Sequence, residues 1–280
     1  MYCGGKEGVG GRQVDPALYT RAYYLENVQG HEEWRRHQGR ELPLRLAEPL
    51  RRARVRPGHR VLDVGTGRGE IALRCALLDA DAVGIDYADP ALEVAREALQ
   101  AYPAEVRRRC RFVAMDAKRL EFPDETFDRI FMLDVVEHLY PEELELAFIE
   151  AKRVLKADGV LVIHTEPNRN YVDLALPLYS SRWLHWIAGP IVFKLTGSRV
   201  PFSTFRDAMH INEQSPQSLR AALRDAGLKA HVWTTGLYGW AELRHPKSIL
   251  KRMLLTGWPV TRIWPLSKTF GLNVWALAGR

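Results

Sequence analysis

Short apolar runs alternate with amphipathic segments along the middle of the chain. The runs lie at 61–64, 81–86, 110–115, 129–133 and 160–165. Runs of this length are typical of parallel strands that are buried on both faces. The segments between them, such as 141–155 with Leu144 and Phe148, follow the period of a helix. Because parallel strands need crossover connections, this order predicts five βα repeats in one sheet.

The last third of the chain continues the alternation. Ser215 and Pro216 form a helix start, an N-cap followed by proline at the first helical position, and Gly227 ends that helix. Strands are predicted at 228–235 and 272–278, the second of them antiparallel. The predicted fold class is therefore α/β, a doubly wound Rossmann-like sheet of seven strands that is mostly parallel, with helical lid insertions.

Two regions are predicted from the change in pattern along the chain. Residues 1–56 comprise a disordered leader and helices that begin near Pro16 and cap the sheet. Residues 57–280 form the main domain, and two apolar insertions interrupt it at 171–206 and 237–268. Both insertions are too apolar for free loops and too often broken by proline to span a membrane.

Three glycines at alternate positions, Gly65, Gly67 and Gly69, follow the first strand. Glycine permits a tight reversal of the chain and lets a ligand lie against bare backbone. The helix that starts after them directs its positive end to the same place. A dinucleotide fingerprint needs its third glycine where Glu70 stands, so a dinucleotide is disfavoured. A glycine-rich turn without a ligand is the simplest alternative.

An acidic residue stands in or just after each of the first four strands. Asp63 lies in the first strand, Asp86 ends the second, and Asp116 and Asp134 follow the third and fourth. The carboxyl ends of parallel strands meet at one edge of a sheet, where ligands bind. Asp86 is well placed to accept both ribose hydroxyls of an adenosine, and Tyr87 beside it is predicted to flank the adenine.

The D-x-G-x-G-x-G motif of 63–69 and the stretch FPDETFDRIFMLDVVEHL of 122–139 together resemble the class I S-adenosylmethionine (SAM) methyltransferases. The resemblance covers 57–169, 207–236 and 270–280. It implies SAM as the cofactor, with Asp116 and Ala117 at the adenine and the glycine loop at the methionine part. The residues expected around SAM are Asp63, Gly65, Gly67, Gly69, Asp86, Tyr87, Asp116, Ala117 and Asp134.

Methyl transfer from a sulfonium is a direct displacement, so the protein mainly aligns the reactants. An oxygen acceptor also needs a base, and histidine suits that role near neutral pH. His138, His164 and His210 are the candidates, and His138, just past the fourth strand, is the predicted catalytic residue. Asp134, Glu137 and His138 resemble the Glu-x-x-Glu-His metal site of some ubiquinone-pathway and small-RNA methyltransferases. Because Asp134 is shorter than that glutamate, no metal is predicted, and a divalent cation is the alternative.

Composition narrows the class of protein. The 280 residues are 46% hydrophobic and 26% charged, which is ordinary for a globular protein without membrane spans. Three scattered cysteines lack metal or disulfide spacing and the N-terminus lacks a signal-peptide core, so a cytoplasmic location is expected. DVVEH follows the fourth strand, where DNA-base methyltransferases carry Asn/Asp-Pro-Pro-Tyr, and no nucleic-acid partner is predicted.

The net charge of +6 is concentrated in the two insertions, which carry ten Lys or Arg and two Asp or Glu. Four of their tryptophans, Trp183, Trp186, Trp258 and Trp264, are the ones singled out beside these bases. The simpler hypothesis is a helical lid with an ordinary apolar core over the acceptor. The second hypothesis is peripheral contact with an anionic membrane, from which a lipid-like acceptor would enter.

Three functions compete on this sequence. The leading prediction is a SAM-dependent methyltransferase that acts on oxygen or carbon, rather than nitrogen, of a small-molecule or lipid-like acceptor. A non-catalytic SAM-binding or scaffold module would carry the same cofactor motifs. An NAD-type oxidoreductase would share the fold, and the position of the third glycine disfavours it.

Overall fold

The computed structural model describes residues 14–28, 30–175, 209–235, 266 and 271–280. The strands are β1 (Arg60–Val64), β2 (Asp81–Asp86), β3 (Cys110–Ala114), β4 (Phe127–Leu133), β5 (Leu155–Thr165), β6 (Lys229–Thr235) and β7 (Asn273–Gly279). Within the described ranges they form one sheet in the order β3-β2-β1-β4-β5-β7-β6. β7 runs antiparallel between β5 and β6, and the other neighbouring pairs are parallel.

Helices cover both faces of this sheet. They are α1 (His31–His37), α2 (Leu44–Ala53), α3 (Glu70–Ala76), α4 (Asp89–Gln100), α5 (Ala104–Arg109), α6 (Pro141–Val154) and α7 (Pro216–Asp225). Shorter 3-10 or π-helical turns lie at Pro16–Leu18, Tyr23–Asn27, Val136–His138 and Tyr171–Ala175. A parallel sheet needs such covering on each side, because its strands have no face that is suited to water.

Alternate residues of the central strands pack into two separate cores. Leu62 and Ile130 lie in the core that α6 and α7 complete. Val61 and Phe131 lie in the core on the opposite face, together with the apolar side chains of α3 and α4. Burial on both faces explains why β1 and β4 carry apolar residues at neighbouring positions rather than only at alternate ones.

The predicted fold class is confirmed, including the antiparallel last strand. One difference concerns β5, which begins at Leu155, whereas the sequence predicted a strand over 160–165. Leu155 already pairs with Phe127, and the pairing resumes at Val160. The four intervening residues bulge out of the ladder, which a sequence pattern does not reveal.

The N-terminal helices are more broken than the sequence predicted. The chain forms short turns before α1, and Gly30 and Gln38, at the two ends of α1, have left-handed backbones. Tyr19 and Tyr24 are buried in this region, which we call the cap (residues 14–28 with α1). The cap lies at the edge of the sheet where the central parallel strands end. The leader before residue 14 lies outside the described residues.

Most of the two insertions also lies outside the described residues. In 171–206 the structure describes the turn Tyr171–Ala175, and in 237–268 it describes Leu266. The predicted lid and the predicted domain bounds therefore stay predictions. Among the residues that are described, no helix combines the length and apolar character needed to cross a membrane.

The strand order places a crevice at the carboxyl ends of β1 and β4. The chain runs outward from β1 to β2 and β3, and then returns to the other side of β1 as β4. The connections that leave β1 and β4 therefore diverge to opposite sides. Ligands of doubly wound sheets bind at this point, where the direction of winding reverses.

Replacement of Gly69 by alanine tests how tightly the glycine turn is packed. Gly69 has φ +82°, and a Cβ atom there would lie 2.5 Å from Phe112 Cζ. Gly58 is a matched control, because it has φ +78° and no described atom within 4 Å of such a Cβ. Both substitutions strain the backbone, and only Gly69→Ala also overpacks the core. We predict that urea unfolding shows a free energy about 1–3 kcal/mol lower for Gly69→Ala than for Gly58→Ala; equal values would contradict this packing.

Candidate active site

A cavity of about 740 Å³ lies at the carboxyl ends of the central strands, between the glycine loop and the cap. Its volume is within the range of sites for small ligands and cofactors. Nine of the ten site residues predicted from the sequence line it: Asp63, Gly65, Gly67, Asp86, Tyr87, Asp116, Ala117, Asp134 and His138. Gly69 does not line the cavity and packs against Phe112 of β3 instead.

The glycine loop presents bare backbone to this cavity. Gly65 has φ +66°, and a Cβ atom there would lie 2.5 Å from Val135 Cγ2. Gly67 has φ +52°, and a Cβ atom there would lie 3.7 Å from the ring of Tyr24, which is ordinary contact distance. The positive φ angles favour glycine at both positions, and the contact with Val135 also leaves no room for a side chain at Gly65.

Asp63 supplies a buried acid beneath the loop. Its side chain is 4% exposed, and the Thr66 hydroxyl donates to Oδ2 at 2.6 Å. Burial is the largest cause that raises the pKa of Asp63, to about 7. A carboxyl group with that pKa ionises readily when a cation binds beside it, because the cation replaces the lost hydration.

Asp86 fixes the glycine loop to the end of β2. Its Oδ2 accepts the Gly67 amide at 3.0 Å, and its Oδ1 accepts the Ala88 amide at 3.0 Å. Each carboxylate oxygen accepts more than one hydrogen bond, so both keep capacity for ribose hydroxyls. Tyr87, the next residue, packs edge-on against Tyr19 of the cap, with ring centroids 5.6 Å apart.

Asp116 and Ala117 line the cavity beyond β3. Asp116 Oδ1 accepts the Lys118 amide at 2.9 Å, and the Lys118 ammonium lies 3.1 Å from Oδ2. The same ammonium donates to Glu143 of α6 at 2.6 Å. This lysine bridge joins the loop after β3 to α6 and holds Asp116 at the rim of the cavity.

Asp134 does not join Glu137 and His138, as the metal alternative required. Its Oδ1 lies 2.5 Å from His164 Nδ1, and its Oδ2 accepts from Arg45 Nη1. The backbone of Asp134 has φ +55°, a left-handed conformation that is uncommon for residues other than glycine. The three residues of the metal alternative therefore separate into two groups, with Asp134 in one and Glu137 and His138 in the other.

Arg45 also lines the cavity, and the sequence did not predict it there. Its side chain lines the cavity and is nine-tenths buried, and its Nε–H has no hydrogen-bond partner among the residues that the structure describes. Arg45, Pro49 and Ala53 form the buried stripe of α2, with a spacing of four residues. An arginine on the apolar stripe of an amphipathic helix is the signal that points to this residue.

His138 lines the cavity next to the cap. Its Nδ1 lies 3.0 Å from the Met209 carbonyl and 3.2 Å from the Tyr19 hydroxyl. A carbonyl only accepts, so Nδ1 carries the proton in the neutral ring, and Nε2 is then the basic nitrogen. Burial raises the pKa of Tyr19 well above its ordinary value, which keeps that hydroxyl neutral.

Glu137, His138 and His210 form a group of metal-ligating side chains in the described part of the chain. One ligand atom from each lies within 4.8 Å of the others. The Glu137 carbonyl accepts the amides of Ile211 and Asn212 at 3.0 Å each, and this pairing brings His210 to the site. Burial raises the pKa of Glu137 to about 7. The chemistry of these donors suits a divalent cation.

Arg68 connects the glycine motif to the cap. Its side chain is 1% exposed, it pairs with Glu70 at 3.0 Å, and it donates to the Tyr24 carbonyl at 3.1 Å. Its guanidinium also lies over the ring of Trp34, 5.6 Å from the centroid. The buried ion pair therefore holds the cap over the loop. It also occupies much of the hydrogen-bonding capacity of the Glu70 carboxylate.

Comparison with known proteins shows which family the chain is similar to. Residues 62–163 match the family model described as a methyltransferase domain. The chain is 32% identical over 174 residues to demethylmenaquinone methyltransferase of Thermus thermophilus, which covers 60% of this chain and 73% of that protein. It is 30% identical over 148 residues to ubiquinone biosynthesis O-methyltransferase of Mesorhizobium japonicum, with 51% and 57% covered.

A third relative has a solved structure. The chain is 34% identical over 126 residues to the uncharacterized methyltransferase YcgJ of Bacillus subtilis, covering 44% of this chain and 48% of YcgJ. The chain thus spans about half the length of that relative. The YcgJ structure superposes with a TM-score of 0.53 at 20% identity, over 84% of this chain and 96% of that one. At that identity the superposition shows a shared fold.

Proposed function

Because the chain belongs to the class I SAM-dependent methyltransferases, we propose that it transfers the methyl group of SAM to oxygen or carbon of a small, lipid-like acceptor. The observation that carries this proposal is the convergence of the open glycine loop, Asp86 and His138 on one cavity. The names of two relatives, a demethylmenaquinone methyltransferase and a ubiquinone biosynthesis O-methyltransferase, support an acceptor with a ring and a lipid chain.

The residues of the cavity fit the adenosine part of SAM. Gly65 and Gly67 line the cavity without side chains, so their backbone is accessible to a ligand. We assign the ribose hydroxyls to Asp86, the adenine edge to Asp116 and Ala117, and the adenine face to Tyr87. Charge-assisted hydrogen bonds to the ribose are the strongest of these contacts, because Asp86 is nearly fully buried.

The residues also fit the methionine part of SAM. Its ammonium suits the buried carboxyl group of Asp63, and its carboxylate suits the Nε–H of Arg45, which has no partner among the described residues. Asp134 holds the Arg45 guanidinium from the other side. SAM supplies a methyl group on a sulfonium, which is the electrophile of the reaction.

The acceptor is assigned to the space between His138, His210 and the cap. Tyr19 and Met209 contact His138 at the edge of this space. An alignment of acceptor and sulfonium in a dry pocket provides most of the rate enhancement for a direct displacement. His138 Nε2 takes the proton from an acceptor hydroxyl, which makes its oxygen or the ring carbon beside it a better nucleophile.

A divalent cation is a second way to activate the acceptor hydroxyl. Glu137, His138 and His210 would hold it, and the cation would lower the pKa of a bound hydroxyl. This candidate ligand set differs by one residue from the set that the sequence motif suggests. His210 takes the place of Asp134 in the candidate ligand set.

Two further hypotheses from the sequence are contact with a membrane and a function without catalysis. Peripheral contact with an anionic membrane depends on 171–206 and 237–268, which lie largely outside the described residues. A scaffold module that binds SAM without catalysis would have the same cofactor cavity. Transfer of label from methyl-tritiated SAM to reduced demethylmenaquinone, extracted into organic solvent, separates a catalyst from a scaffold.

The cofactor assignment is tested with Asp86→Ala. We expect the affinity for SAM to fall at least about tenfold, since a hydrogen bond to a charged group contributes roughly 1.5–3 kcal/mol. Asp81→Ala is the matched control, because Asp81 begins the same strand and pairs with Arg109 at the surface. Calorimetry on both folded variants provides the measurement. An unchanged affinity in folded Asp86→Ala would remove the ribose assignment.

The catalytic assignment is tested with His138→Ala. Loss of the base should lower turnover roughly 100-fold while SAM affinity stays within about twofold. His59→Ala is the control, because His59 precedes β1 at the opposite edge of the sheet.

The same assay with a chelator, then with added magnesium or zinc, tests whether a divalent cation takes part. Loss and recovery of activity would support the metal, and full activity in chelator would eliminate it.

A further inference from the structure

His164 is buried at the carboxyl end of β5, with 1% of its surface exposed. Its Nδ1 lies 2.5 Å from Asp134 Oδ1, and its Nε2 lies 2.8 Å from Asn273 Oδ1 on the neighbouring β7. The ring also packs on Trp275, with centroids 4.2 Å apart. A ring with a partner at each nitrogen and an aromatic neighbour has one orientation in the core.

The direction of these hydrogen bonds follows from Asn273. Its Nδ2 donates to the Thr235 carbonyl at 3.2 Å, so its Oδ1 is the atom that faces His164. His164 Nε2 must then carry a proton and donate it to Asn273. With Nε2 protonated, a bare Nδ1 and a carboxylate oxygen are both acceptors. Their contact of 2.5 Å therefore requires a second proton, which lies between the two atoms. The His164–Asp134 pair therefore keeps one shared proton.

Asp134, which His164 holds in one orientation, in turn restrains the Arg45 side chain. Its Oδ1 is held by His164, and its Oδ2 accepts from Arg45 Nη1. The Asp134 side chain is 30% exposed and would otherwise be able to turn toward the cavity. Arg45 is a long side chain with several torsions, and an anchored carboxylate reduces the number of positions it occupies.

We propose that His164 is a positioning residue that holds Asp134, and through Asp134 the Arg45 guanidinium, in place for the carboxylate of the methionine part of SAM. His164 does not line the cavity, so it acts on the ligand through Asp134. This inference rests on the proposed function, specifically on the assignment of the methionine part to Arg45. It adds a residue that the family resemblance did not place in the site.

Two ligands separate positioning from a general structural role. S-adenosylhomocysteine carries both the adenosine and the amino-acid end, and 5′-methylthioadenosine carries the adenosine alone. We expect His164→Leu to weaken S-adenosylhomocysteine roughly tenfold or more, because the anchored charge pair is lost. The affinity for 5′-methylthioadenosine should stay within about twofold, since Asp86 and Asp116 are untouched. Calorimetry on the full chain gives both values.

A conservative variant and a double mutant sharpen the test. His164→Asn places an amide N–H near the position of Nδ1, so it should recover S-adenosylhomocysteine affinity to within about threefold of wild type. If His164 acts through Asp134, the pair Asp134→Asn and His164→Leu should lose no more affinity than Asp134→Asn alone. His231→Leu on β6 is the matched control, because His231 is an exposed histidine of the same sheet.

The outcomes are distinguishable. Equal loss of both ligands in His164→Leu would make His164 a structural residue and overturn the proposal, as would unchanged affinity for S-adenosylhomocysteine. Arg45→Met should lose S-adenosylhomocysteine and keep 5′-methylthioadenosine. If Arg45→Met behaves so and His164→Leu does not, the positioning role alone fails. A wild-type protein that binds neither ligand would overturn the proposed function as well.

Discussion

The hydrogen bond from the Gly67 amide to Asp86 joins the two strand ends on which the site is built. It ties the loop after β1 to the end of β2, and it leaves the loop backbone open toward the cavity. The glycine loop packs closely enough that a side chain at Gly65 would meet Val135 after β4. One turn thus positions residues from β1, β2 and β4 at the point where the sheet reverses its winding, which is where doubly wound folds bind ligands.

Buried charges organise the rest of the cavity. Arg68 and Glu70 hold the cap over the glycine loop, and Arg45, Asp134 and His164 form a second group at the ends of β4 and β5. Such groups cost desolvation free energy, and a partner removed from one of them leaves an unpaired buried charge. Their value lies in rigidity, because a displacement between two reactants depends on alignment.

The sequence predicted the parts of this arrangement that are local. Apolar runs and helical periods identify the βα repeats, and an acid after a parallel strand must lie at the ligand-binding edge, as Asp86 and Asp116 do. It did not predict which distant side chains meet there. Arg45 lies on α2, and the partners of Asp134 come from α2 and β5, so their contacts depend on packing between elements. Gly69 shows the same limit, since its motif position does not reveal that Phe112 packs against it.

A crystal structure of the full chain with bound S-adenosylhomocysteine tests most directly whether this cavity is a methyl-transfer site. We predict the adenosine against Asp86 and Asp116, the amino-acid carboxylate at Arg45, and the sulfur facing the space beside His138. A nucleoside bound in the reverse direction, with its sulfur away from His138, would contradict the assignment of cofactor and acceptor to the two sides of the cavity.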